Sequence, residues 1–172
     1  KRLDVLAKAD PNDDRSAFYL AEALSDLGSN KEAEAIYQRL LKKTPADPDL
    51  LVGLGLNEIA QQKYDEAERN FRTLLALEKL PPNVAVMART QLALIDLQRG
   101  KLDSALDQSK QVLTFDHKAN LQAVNIALDV LRRQKKFEEA SALLEPLRQQ
   151  FPNDQYFLSR SIEFLVRGGE DR

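Results

Sequence analysis

The stretch Tyr64-Asp65-Glu66-Ala67 decides the fold, because the chain repeats it. Counterparts stand at Asn30-Lys31-Glu32-Ala33, Leu102-Asp103-Ser104-Ala105 and Phe137-Glu138-Glu139-Ala140, and successive alanines lie 34, 38 and 35 residues apart. Pro11 and Pro45 keep the same 34-residue step. A period of this length is that of a helix–turn–helix unit stacked on copies of itself. Just before each motif the helical pattern stops. It does so at Gly28 and Gly100 in two units, and at Gln61-Gln62-Lys63 and Gln134-Lys135-Lys136 in the other two. Glycine supplies the positive φ that ends a helix; the units without it reach the same turn at a slightly higher conformational cost. Pro45, Pro48, Pro81, Pro82 and Pro152 punctuate the ends of second helices, where a ring cannot continue the hydrogen-bond ladder. No stretch alternates with the period of two that marks a strand, so the chain reads as helix throughout.

Working outward from that motif, Leu54-Gly55, Tyr64, Ala67, Phe71 and Leu74 give an order of large, small and aromatic residues. Leu20-Ala21, Ala33, Tyr37, Leu40 and Pro45 give it again. Leu92-Ala93, Leu102, Ala105 and Val112 follow, with Ser109 where an aromatic is usual. Ala127-Leu128, Phe137, Ala140, Leu144, Leu147 and Pro152 form a fourth copy with the large and small pair swapped. The pattern resembles the tetratricopeptide repeat. That resemblance implies an all-α solenoid, a right-handed superhelix of antiparallel helix pairs. Its expected parts are the tail of a preceding repeat at 1–11, repeats at 14–47, 48–83, 84–119 and 120–153, and a terminal or capping helix at 154–167. Residues 1–172 are then one domain, read as a fragment of a longer protein.

The packing logic is independent of the family. Ala33, Ala67, Ala105 and Ala140 let paired helices approach closely, and Tyr37 and Phe71 fill the space toward the next pair. A single pair cannot bury its own apolar face, so stacked neighbours build the core. Gly53-Leu54-Gly55 is a G-x-G inside a helix, its second glycine explained by packing. Three departures carry expectations of their own. Pro146 should kink or open the second helix of repeat four, Phe137 to Gln150. Residues around Leu80-Pro81-Pro82-Asn83 should lengthen the link between repeats two and three, and Gly168-Gly169 should close the last helix.

Composition excludes several functions. Hydrophobic residues make up 43% and charged residues 30%, the balance of an ordered protein. There is no cysteine, which rules out disulfides and thiolate metal sites. A net charge of −2 argues against bulk attraction to nucleic acid or anionic lipid. Lys42-Lys43 and the Arg132-Arg133, Lys135-Lys136 cluster lack interleaved aromatics and read as solvated helix ends. No apolar run is long enough to insert in a membrane. The sole histidine, His117, lies at a turn without the partners a catalytic imidazole needs. Adjacent carboxylates such as Glu138-Glu139 do not face each other on a helix. No phosphate-binding loop, metal-ligand spacing or nucleophile elbow is present. The sequence therefore points away from an enzyme, a cofactor and a metal.

Function is expected on the surface of the helices. In the family that the pattern resembles, first helices line a concave groove. The corresponding positions are Phe18, Glu22 and Ser25; Val52, Leu56 and Ile59; Met87, Thr90, Leu94 and Leu97; and Asn125, Asp129 and Arg132 with Gln122. Tyr156, Ser159 and Glu163 extend them on the last helix. Repeats one to three lack the basic residues of a carboxylate clamp, so the expected occupant is an amphipathic helix or an extended apolar segment of a partner protein, or a helix of the same protein. The plainer reading is that Leu56 and Leu94 belong to the core of an all-round apolar helix. The alternative function is a self-assembling module, a homo-oligomer joined through repeat faces or ends. The compartment stays open between the cytoplasm and a bacterial periplasm or envelope.

Overall fold

A computed structural model describes residues 13–115 and 120–170. Lys1 to Ala9 and His117, on which the sequence raised expectations, lie outside them. Among the described residues there are nine α-helices and no strand. They are α1 Asp14–Asp26, α2 Asn30–Leu41, α3 Pro48–Ala60, α4 Tyr64–Leu75, α5 Pro82–Gln98, α6 Leu102–Phe115, α7 Leu121–Arg133, α8 Phe137–Gln150 and α9 Gln155–Glu170. The chain divides into two compact units, residues 1–88 and 89–172, with α5 running from one into the other.

First and second helices begin differently. Side chains cap several first helices: Asp13 accepts from the Ser16 amide at 2.8 Å, and Asn120 from that of Ala123 at 3.2 Å. Asp47 accepts from the amides of Asp49 and Leu50, with Pro48 preset at the first helical position. The residues before α2, α4 and α8, Ser29, Lys63 and Lys136, make no side-chain capping bond to their helices.

Each of these second helices instead follows a backbone turn used four times. Gly28, Gln62, Gly100 and Lys135 take φ of 80°, 60°, 71° and 56°. The next amides, of Ser29, Lys63, Lys101 and Lys136, donate back five residues to the carbonyls of Leu24, Glu58, Asp96 and Leu131 at 2.8–2.9 Å. This is the Schellman closure. Its geometry is the same whether or not glycine occupies the left-handed position, as the register of the repeats required. The non-glycine turns carry strain of about 1–2 kcal/mol each. Gln62→Gly and Lys135→Gly are therefore each expected to raise stability by about 0.5–1 kcal/mol in urea unfolding, net of the added freedom of the unfolded chain. A loss of stability at both sites would show that the turn is unstrained.

In the first unit, α3 is gripped from both sides. Tyr37 of α2 packs where a Cβ on Gly53 would lie 2.7 Å from its ring, and Phe71 of α4 where one on Gly55 would lie 2.8 Å away. Both rings are buried, as are Ala33 and Ala67 beside them. Two buried polar groups sit on the same helix: Asn70 donates to Glu58 at 2.7 Å, and Asn57 donates to Ser25 at 2.8 Å.

The core of the second unit gathers Ala93, Ala105, Leu131, Ala140, Leu144 and Phe157. Ser109 is fully buried in the position where an aromatic was usual, its hydroxyl donating to the Ala105 carbonyl at 2.8 Å. Ser104 donates to the buried Asp96 at 2.6 Å.

Three sequence expectations meet correction or refinement. The link from α4 to α5 is no longer than that from α2 to α3, 76–81 against 42–47; the extra residues lengthen α5 to 17 residues, where α3 has 13. Proline at the first turn extends a helix as readily as it ends one. The last helix does not close at Gly168-Gly169 but continues to Glu170, since a Cβ on Gly168 would meet Phe137 at 3.3 Å and the glycine serves packing. α8 is one helix through Pro146, whose ring is on an exposed face.

Candidate functional site

Each unit holds a cleft between successive first helices. In the first unit α1 and α3 enclose a cavity of about 460 Å³. Phe18 of α1 and Val52 and Leu56 of α3 give it an apolar floor, with Tyr37 beneath. Leu56 is 41% exposed, although its helix buries Leu50, Leu51 and Leu54. The Tyr37 hydroxyl is hydrogen-bonded with Ser25 and pushed up to about 12, chiefly by burial and further by Glu22 and Asp26. Glu22, Asp26 and Asp49 stand at the rim. Burial raises the Glu22 carboxyl above its ordinary range, and the charges of Asp26 and Asp49 add to the shift.

The cleft of the second unit, about 310 Å³ between α7 and α9, is built of ion pairs. Asp129 takes both Arg132 and Arg133, the latter at 2.8 Å. Burial works against that carboxylate's charge, yet the two guanidinium groups outweigh it and hold Asp129 below the usual range. Arg160 pairs with Glu163 at 2.8 Å and lies 5.4 Å from the Tyr156 ring centroid. The Tyr156 hydroxyl donates to Asn125. Cations and carboxylates here answer one another within the cleft.

The remaining candidate positions are placed differently. Thr90 is buried and accepts a bond from Asn120 at 3.1 Å. Leu94 and Leu97 are half-buried against the core of the second unit. Met87 is half-buried on α5, and Ile59 is half-buried outside the lining of the first cleft. Gln122 and Ser159 are exposed, the Ser159 hydroxyl donating to the Tyr156 carbonyl. Helical register alone missed Tyr37, Gly53, Asp49 and Asn57, which also line the first cavity. The bare backbone of Gly53 was the available signal, because it lets a ring of α2 reach the cleft. Among the described residues no group of three or more histidines and carboxylates is placed to hold a metal ion. No helix among them is long and apolar enough to cross a membrane.

Comparison with known proteins agrees with this architecture. Family models of the tetratricopeptide repeat match residues 14–57 and 52–116. Cellulose synthase operon protein C of Pseudomonas fluorescens (strain SBW25) is 30% identical over 158 residues, 87% of this chain and 12% of that protein. Tetratricopeptide repeat protein 21A of Mus musculus is 22% identical over 78% of this chain and 11% of its own length. The chain thus spans roughly an eighth of the curated relatives it matches. Among solved structures, Pseudomonas aeruginosa PilF aligns with a TM-score of 0.73 at 18% identity, covering 94% of this chain and 72% of that one. YrrB, described as a tetratricopeptide-repeat protein with an unusual peptide-binding site, aligns at 0.68 and 14% identity over 96% and 82%. The 34-residue period, the turn built four times and these matches have one explanation: the chain is a member of the tetratricopeptide-repeat family.

Proposed function

We propose that this protein-interaction scaffold holds a partner helix or peptide in the cleft between α1 and α3. The observation that carries the reading is Leu56, a leucine left 41% exposed inside a concavity rather than on a convex surface. A scattered exposed leucine means little, but one that shares a cavity of about 460 Å³ with Phe18 and Val52 has the setting of a binding site. The family's members are typically scaffolds, and catalysis has no part in this reading. The identity to a much longer curated relative supports treating the chain as one stretch of a longer repeat protein.

Photo-crosslinking tests it, with the probe at Leu56 and a control probe at the exposed Gln38 of α2. A distinct protein captured at Leu56 and not at Gln38 is the expected outcome. Leu56→Gln should then weaken that partner about tenfold, by removing apolar burial worth about 1–2 kcal/mol, with helix content unchanged. Capture of the chain alone would overturn the reading.

A second reading, self-assembly, draws on one observation. Ile162, Leu165 and Val166 form a stripe on α9, exposed by 62%, 61% and 54%. Light scattering decides it: a mass that stays that of one chain as concentration rises sinks self-assembly.

A further inference from the structure

The first cleft differs in chemistry between floor and rim. Phe18, Val52 and Leu56 make the floor apolar. Around it stand Glu22 and Asp26, one turn apart on α1, and Asp49 in the first turn of α3. Among the described residues that line this cavity there is no lysine, arginine or histidine. Asp49 acts on Glu22 across the gap and Asp26 acts on it from one turn further along α1, both pushing its carboxyl upward beyond what burial does. The end of α1 at Asp26 adds the partial negative charge of its last carbonyls.

The second unit supplies the contrast. Its cleft occupies the same place between successive first helices, but there Asp129 is met by Arg132 and Arg133, and Glu163 by Arg160 and Arg167. The repeat architecture therefore does not itself demand a cleft whose lining holds carboxylates but no lysine or arginine.

Floor and rim together narrow the occupant. A ligand bringing only positive charge, such as a hydrated cation, would leave the leucine and phenylalanine wet. A purely apolar segment would cover the floor while pressing the carboxylates further out of water, which costs free energy when no cation replaces the lost hydration. We infer that the occupant is a basic amphipathic peptide segment, with lysine or arginine beside leucine or an aromatic. Its cations meet Glu22 and Asp49, and its apolar side chains cover Phe18 and Leu56. The inference rests on the reading of this cleft as a docking site and adds the partner's chemistry to it.

The test is selection of a random twelve-residue phage-displayed peptide library on the immobilised full chain, followed by anisotropy with the recovered peptides. The expected peptides combine lysine or arginine with large apolar residues. They weaken about five- to tenfold on an E22Q/D49N double variant, fade with rising salt, and are lost with Leu56→Gln. Both glutamine and asparagine keep the size of the rim side chains, so circular dichroism should be unchanged. Neutral or acidic peptides that still depend on Leu56, or basic ones that bind the double variant undiminished, overturn the charge inference and leave the docking reading standing. If no recovered peptide is sensitive to Leu56→Gln, both fall.

Discussion

Truncating Phe71 to alanine is expected to lower the unfolding free energy by about 3–5 kcal/mol, read as a fall in the urea midpoint at constant slope. The ring is fully buried, and it fills the hollow where Gly55 has no side chain. Removing it leaves a void at the contact between α3 and α4 that neither helix can fill, because the facing position is bare backbone. The reciprocal change separates packing from helix propensity. Alanine is better than glycine inside a helix by about 1 kcal/mol, so on propensity alone Gly55→Ala would stabilise. Here its methyl would lie 2.8 Å from the Phe71 ring tip, and the ring has no free space to retreat into. Gly55→Ala is therefore expected to destabilise. A stabilised Gly55→Ala would show that the hollow is not needed.

The second large effect is a gain. Glu58 is 3% exposed, and its carboxyl is raised from 4.5 to about 7, first by burial and then by the charges of Glu34 and Glu66, which together outweigh Asn70 and Lys63. The folded protein thus holds this proton more tightly than the unfolded chain does. Its contribution to stability is fully present below about pH 4.5, falls as pH rises, and is lost above about pH 7. A glutamine keeps an oxygen for the Asn70 amide and carries no charge to bury. Glu58→Gln should therefore match the parent at pH 4 and exceed it by about 2–3 kcal/mol at pH 8. Parallel urea titrations at the two pH values check it; equal stability of parent and variant at pH 8 would show that the carboxylate is adequately solvated.

How much of this was legible in the sequence follows from what each signal measures. A repeat period reports on every unit at once, so weak motifs placed Gln62 and Lys135 in turns that their residue types disfavour. The proline rule is local and misled. Pro81-Pro82 looked like an added link but starts a longer α5, because a ring is tolerated in the first helical turn. Gly168-Gly169 looked like a stop, yet glycine also serves close packing, and a sequence does not say which. At the candidate site, register brought Phe18, Glu22, Val52 and Leu56 into one cavity, since they share the inner side of α1 and α3. It could not tell that Leu94 rests against a core while Leu56 does not, because that depends on what covers each helix. Tyr37 was read as filler between pairs; its place in the lining, beneath the cavity's floor, depends on Gly53, two residues before the glycine that accommodates Phe71.

Those two notches in α3 have a mechanical consequence. Smooth packed helices can slide past one another by small increments, with the energy rising gradually. Here each ring is seated in a gap one residue wide, flanked by Val52, Leu54 and Leu56. Advancing α3 by a single residue, about 1.5 Å along its axis, would drive a side chain into the space of each ring. The notches act as detents, and α3 clicks into one register against both neighbours instead of drifting among several. The height of the candidate cleft along the repeat is thereby set by two hydrogen atoms where other residues carry a carbon.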